Sequence, residues 1–214
     1  VHYDASVRSQ GVDRLALEHR LRFALERNQF ELHYQPKVDV ATRRIIGAEA
    51  LLRWRSPEEG LVMPGLFLPL LEATGMVVQV GDWVVRQAAR DCQDWLAAGL
   101  PPVRIAVNIA PAQLRHPDFA AEFLHVVESW STPQCGLDIE ITEGLLHEDS
   151  VAEVDKLRQL HDRGVQIAID DFGTGYSSLT RLAQLPIDTL KIDRQFIARL
   201  LGGSPGNSVV RTII

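Results

Sequence analysis

Between Arg104 and Asp193 four short apolar runs, RIAVNI, LDIEI, VQIAID and TLKID, alternate with longer amphipathic stretches. Parallel neighbours need a long crossover, usually a helix, so this order calls for a parallel sheet with helices on its faces. An open doubly wound sheet and a closed barrel both satisfy it. No G-x-G-x-x-G turn marks a dinucleotide fold. Upstream, FELHYQPKV and IIGAEALLRW flank a short connection around Ala41 to Arg44, which reads as an antiparallel hairpin. Six barrel strands are expected: Phe30 to Lys37, Ile45 to Leu52, Arg104 to Ile109, Leu137 to Ile141, Val165 to Asp170 and Thr189 to Ile192. Apolar residues at helical spacing predict helices over Val12 to Asn28, Pro64 to Thr74, Asp82 to Ala98, Pro117 to Ser129 and Val151 to Arg163.

Five of these strands, all but the first, carry toward their ends a residue that a buried strand should not hold. These are Glu49, Asn108, Glu140, Asp170 and Lys191. In a parallel barrel the C-terminal strand ends meet at one mouth, where catalytic groups sit. Any one of the five could be a satisfied core polar group, but five in register point to a site. Glu49, Glu140, Asp170 and Asp171, with Glu143 just beyond, would repel one another and resist dehydration unless cations held them together. Carboxylates plus an amide carbonyl, without His or Cys, form a hard oxygen set suited to Mg²⁺ or Mn²⁺. The adjacent pair Asp170 and Asp171 can serve two ions, an arrangement matched to phosphodiester hydrolysis.

Composition narrows the field. With 214 residues, 46% of them hydrophobic, the chain can bury the core of a single domain. No apolar run approaches the roughly 18 residues of a membrane span, and VHYDASVRSQ is no secretory signal. Cys92 and Cys135 lie far apart and outside any metal-ligand spacing, as expected of reduced cytoplasmic thiols. A net charge of -6 opposes broad nucleic-acid binding, so a phosphate-bearing ligand must be drawn by local cations.

The segments GAEALLRW from Gly47, VNIAP from Val107, EITE from Glu140, DDFGTGYSSL from Asp170 and LKID from Leu190 resemble the EAL-domain family. YQP at Tyr34 and FLPLLEATG at Phe67 extend the likeness over residues 14–214, in the family's order. The resemblance implies a TIM-like (β/α)8 barrel with an antiparallel first strand, preceded by a linker over residues 1–13. It also implies two further strands beyond Ile214, carrying a second-metal glutamate and a substrate glutamine. The activity implied is hydrolysis of cyclic di-GMP to linear pGpG with two Mg²⁺ or Mn²⁺ ions, and Ca²⁺ inhibitory.

By the same resemblance Glu49, Asn108, Glu140 and Asp170 would hold one ion, and Asp170 would bridge to a second that Asp171 also binds. Lys191 would sit beside the attacking water, as proton acceptor or as orienting group. Glu49, Lys191 and Glu143 are the residues assigned to catalysis, Glu143 as anchor of the loop that begins DFGTG. Gln35, Leu52 and Arg53 are assigned to substrate. So is Asp193, which could instead orient Lys191 or close the strand. A homodimer through the DFGTG loop and an upstream GGDEF or sensory domain are the expected partners.

Three other readings compete. A relative that has lost catalysis would act as a cyclic di-GMP receptor or protein-interaction module. An enolase-like barrel would also use strand-end carboxylates and a lysine, but the adjacent Asp pair and the GTG loop fit it poorly. A kinase reading of Asp171-Phe172-Gly173 lacks the H-R-D-type loop. The seven histidines are scattered, as surface or packing residues would be, and Trp54, Trp83 and Trp95 suit packing.

Overall fold

The computed structural model describes residues 5–128, 130–132, 134–144, 151–173, 182 and 185–193, without the side chains of 5–14. The chain divides into two compact units, Val1–Val107 and Asn108–Ile214.

In the first unit, helix α1 (Ala5–Ala24) leads into strands β1 (Phe30–Val38) and β2 (Ile45–Ser56). These pair antiparallel in the expected hairpin, with Gln35 opposite Glu49 and Leu32 opposite Leu52. The hairpin turns where the Asp39 carboxylate accepts from the Thr42 amide and hydroxyl, and Arg43 adopts φ 58°. Strand β2 runs four residues past Leu52 because Trp54, Arg55 and Ser56 pair with a short strand, β3 (Gly60–Val62). Three residues are too few to give a periodicity, so β3 left no sequence signal.

Helices α2 (Pro64–Ala73) and α3 (Val77–Ala97) follow. Pro64 opens α2, and Gly75, at φ 74°, takes the left-handed conformation just past its end. α3 starts five residues before the expected Asp82. Val77, Val80, Gly81 and Val84 are buried at helical spacing, so packing overrides the weak helical preference of the β-branched run. Alternation along β1 and β2 sends Leu32, Tyr34, Ala50, Leu52 and Trp54 to one face. Trp54 is fully buried there, edge-on to Phe67 of α2 at 6.1 Å, and its indole N–H donates to Gln29 Oε1 at 3.1 Å. Truncating such a side chain costs about 3–5 kcal/mol. Strand β4 (Arg104–Asn108) lies parallel to β2, with Glu49 opposite Ala106. A Cβ at Gly47 would meet the Arg104 carbonyl oxygen at 3.0 Å, so this approach of β4 to β2 depends on glycine.

In the second unit, β5 (Gly136–Thr142), β6 (Ile167–Phe172) and β7 (Thr189–Ile192) pair in parallel, and the Ile109 amide donates to the Glu140 carbonyl. Helices α4 (Pro111–Arg115), α5 (Phe119–Val127) and α6 (Val151–His161) connect them. Ile139 and Ile141 of β5, Ile167 and Ile169 of β6, and Leu157 and Leu160 of α6 are all at most 1% exposed. Alternation then turns Glu140, Asp170 and Lys191 to the opposite side of these strands. Lys156 of α6 donates to the carbonyls of Leu114 (2.8 Å), Arg115 (3.2 Å) and His116 (2.7 Å), capping α4 soon after Asn108.

Candidate metal centre and active site

The site in the second unit is built from one strand pairing. Ile169 stands opposite Leu190 and Phe172 opposite Ile192, so Asp170 and Asp171 together face the single residue Lys191. This is a β-bulge, and Asp171 carries its strain at φ 53°. In a regular strand two adjacent carboxylates point to opposite faces, and the bulge relieves the DD pair of that rule. Asp170 Oδ1 accepts from the Asp171 amide at 3.0 Å, which fixes its own rotamer.

Glu140 is 0% exposed, an expensive position for a carboxylate. Lys191 Nζ donates to Glu140 Oε2 and lies 3.1 Å from Asp170 Oδ1. Carboxylate oxygens of Glu140 and Asp170 come within 4.8 Å of each other. Like charges this close in a buried setting require cationic compensation, which the ammonium supplies. The start of β6 is pinned on both sides by carboxylates that strand-end polarity does not single out. Asp138 accepts from the Gln166 amide at 2.9 Å, and Asp188 accepts from the Ile167 amide at 2.8 Å.

Glu143, 3% exposed, accepts from the Gly173 amide at 3.0 Å. Gly173 sits at φ 98°, a conformation open to glycine. Glu143 is thus hydrogen-bonded to the third residue of the DFGTG segment. Residues 174–181 of that segment lie outside the described residues, and with them the dimer expectation. Asn108 is exposed at the end of β4, and the Asp193 amide donates to the Phe172 carbonyl at 3.4 Å.

In the first unit, Gln35, Glu49 and Arg53 share the face of the β1–β2 pair opposite Trp54. Gln35 is exposed, Glu49 and Arg53 are half-buried, and Arg53 Nη1 donates to the Leu52 carbonyl at 2.8 Å. The Leu52 side chain lies on the other face, with Trp54. Glu49 is positioned by a ladder in which Ala50 pairs with Val107, the residue before Asn108.

The family model of the EAL domain matches residues 18–214. The chain belongs to the EAL-domain family. This EAL domain is 43% identical over 212 residues to a protein named bifunctional diguanylate cyclase/cyclic di-GMP phosphodiesterase MucR, of Pseudomonas aeruginosa, covering 99% of the chain and 31% of that protein. It is 37% identical over 200 residues to cyclic di-GMP phosphodiesterase PdeR of Escherichia coli, covering 94% of the chain and 30% of that protein. The chain thus spans about three tenths of the length of these relatives. Among solved structures, the PaMucR phosphodiesterase in complex with c-di-GMP matches with a TM-score of 0.84 and 45% identity, over 92% of this chain and 80% of that one. The fold is accordingly the α/β, TIM-like barrel type of EAL domains, and the antiparallel β1–β2 pair agrees with the hairpin read from sequence. No helix among the described residues is long and apolar enough to cross a membrane.

Proposed function

We propose that this EAL domain is a cyclic di-GMP phosphodiesterase that hydrolyses one phosphodiester bond to give linear pGpG. The observation that carries the reading is the Asp170–Asp171 bulge set against Lys191 and the buried Glu140. Membership of a family with relatives named as cyclic di-GMP phosphodiesterases supports it.

The donor set fits divalent metal. Glu140 and Asp170 present hard oxygens in close approach, and the buried carboxylate needs positive charge beside it. Glu49, Asn108, Glu140, Asp170 and Asp171 are the residues that would hold two Mg²⁺ or Mn²⁺ ions. When bound, such ions supply Lewis acidity to the phosphate and lower the pKa of water. Ca²⁺, with its looser coordination, would occupy the same oxygens without supporting turnover.

Lys191 places its amino group beside Asp170, where as an ammonium it orients the attacking water or, as the neutral amine that adjacent cations would favour, accepts its proton. Arg53 offers a planar donor fork to a phosphate oxygen, and Gln35 a neutral amide to a phosphate or guanine edge. Leu52 contributes through its backbone, which seats the Arg53 guanidinium. Asp193 directly follows β7, two residues after Lys191, as a further substrate contact. Glu143 holds the Gly173 peptide and with it the start of the loop beside the Asp pair.

Incubating the complete protein with cyclic di-GMP and Mg²⁺, then separating the nucleotides by chromatography, tests the reading. Accumulation of pGpG supports it. Tight binding without any product would favour the receptor reading instead.

A further inference from the structure

Tyr34 and Gln35 are consecutive on β1 and so lie on opposite faces of the strand. Gln35 shares its face with Glu49, its cross-strand partner. Tyr34 turns toward α3, where its hydroxyl donates to Asp91 Oδ2 at 2.5 Å. The other oxygen of the same carboxylate, Oδ1, accepts from Gln87 Nε2 at 2.7 Å. Trp95 stands edge-on to the Tyr34 ring, with centroids 4.6 Å apart. Gln87, Asp91 and Trp95 succeed one another at four-residue spacing, so a single stripe of α3 grips one side chain of β1. The carboxylate is fixed from both oxygens and the ring packs against Trp95, so the Tyr34 side chain is held at its hydroxyl and at its ring.

The end of β1 is where such a grip is needed. Pro36 has no N–H to donate to a ladder, and the β1–β2 register shifts between Lys37 and Val38. The regular pairing with β2 thus ends two residues beyond Gln35, after Lys37, and the Tyr34 contact secures β1 ahead of that break. A rotation of the Tyr34 peptide would be carried straight into the direction of the Gln35 amide.

We propose that Asp91 and Tyr34 are positioning residues that aim Gln35 at the substrate. The inference rests on the reading of Gln35 as a substrate contact. Neither Tyr34 nor Asp91 touches the ligand; they act through the backbone of β1.

The test uses the complete protein and two measurements: the Kd for cyclic di-GMP in EDTA by calorimetry, and kcat and KM with Mg²⁺. Tyr34→Phe keeps the ring against Trp95 and removes the donor. It is expected to raise Kd and KM about 10-fold with kcat little changed, as Gln35→Ala does. The double variant is expected to be no worse than either single one, because both remove the same contact. Asp91→Asn, which keeps an oxygen for the phenol, recovers most of the affinity lost in Asp91→Ala. Losses that multiply in the double variant overturn the proposal. So does a Tyr34→Phe protein with lowered Tm and unchanged Kd, which would make the contact purely structural. If Gln35→Ala leaves Kd unchanged, the assignment of Gln35 falls and this inference with it. If Gln35→Ala weakens binding while Tyr34→Phe does not, the positioning role alone falls.

Discussion

Lys191 lies 3.1 Å from Asp170 across the β6–β7 pair, while its ammonium also donates to a Glu140 carboxylate that solvent does not reach. One cation thus serves two acids that no water can stabilise fully. Removing one partner of such a buried group leaves uncompensated charge, at a cost of about 3–5 kcal/mol. Lys191→Met is expected to lower Tm sharply in EDTA, and Mg²⁺ is expected to restore much of it by replacing the lost charge. A thermal scan with and without metal checks this. A Tm indifferent to both the substitution and Mg²⁺ would remove the carboxylates from any metal site.

The same lysine should matter more to chemistry than to binding. Lys191→Ala is expected to lower kcat by roughly 10²- to 10⁴-fold with KM little changed, the range for a positioned acid or base. A loss confined to KM and relieved by added salt would instead mark a screened contact to the substrate phosphate. Steady-state kinetics at two ionic strengths separate the two.

Glu143 offers a narrower test. Glu143→Ala leaves the half-buried Gly173 amide without its acceptor, a loss of about 1 kcal/mol. Glu143→Gln keeps an oxygen in reach and should lose much less. The expected order of activity is wild type, then Gln, then Ala, read from initial rates. Equal rates for all three would show that the anchor does not bear on catalysis.

Much of this was legible in the sequence, because strand-end polarity and the parallel alternation depend only on residue type and spacing. Glu140, Asp170 and Lys191 come from three separate strands and converge as their positions implied. Four features were not legible. The bulge at Asp170 and Asp171 depends on which β7 residue pairs with which β6 residue, and pairing is a tertiary fact. β3 exists because β2 offers it an edge. The early start of α3 is set by burial of Val77 and Val80. Tyr34 and Asp91 are 57 residues apart, and their hydrogen bond arises from the docking of α3 on β1.

Tyr34 carries a pH signature. Burial, the Asp91 carboxylate and the nearby Cys92 hold its phenol above the ordinary range near about 10. A group whose pKa is raised by folding contributes stability that is complete below its unfolded value and declines as pH rises above it. The chain has three tyrosines. In a spectrophotometric titration of this EAL domain, Tyr34 is expected to stay protonated above pH 10 until the domain unfolds. Reversible ionisation of all three near pH 10 in the folded state would contradict the buried contact.

If strand-end carboxylates hold metal for phosphodiester hydrolysis, the reaction cannot survive the loss of Glu49. Its strand is secured by Trp54 and Phe67 on the far face, so Glu49→Ala should fold normally. Turnover of cyclic di-GMP by the complete Glu49→Ala protein in Mg²⁺ is the decisive measurement, with Tm as its control. The predicted result is loss of pGpG formation by at least about 10³-fold at an unchanged Tm, as expected when an interaction required by the transition state is removed. Wild-type turnover in this variant, or equal turnover of the unaltered protein in EDTA, would contradict it.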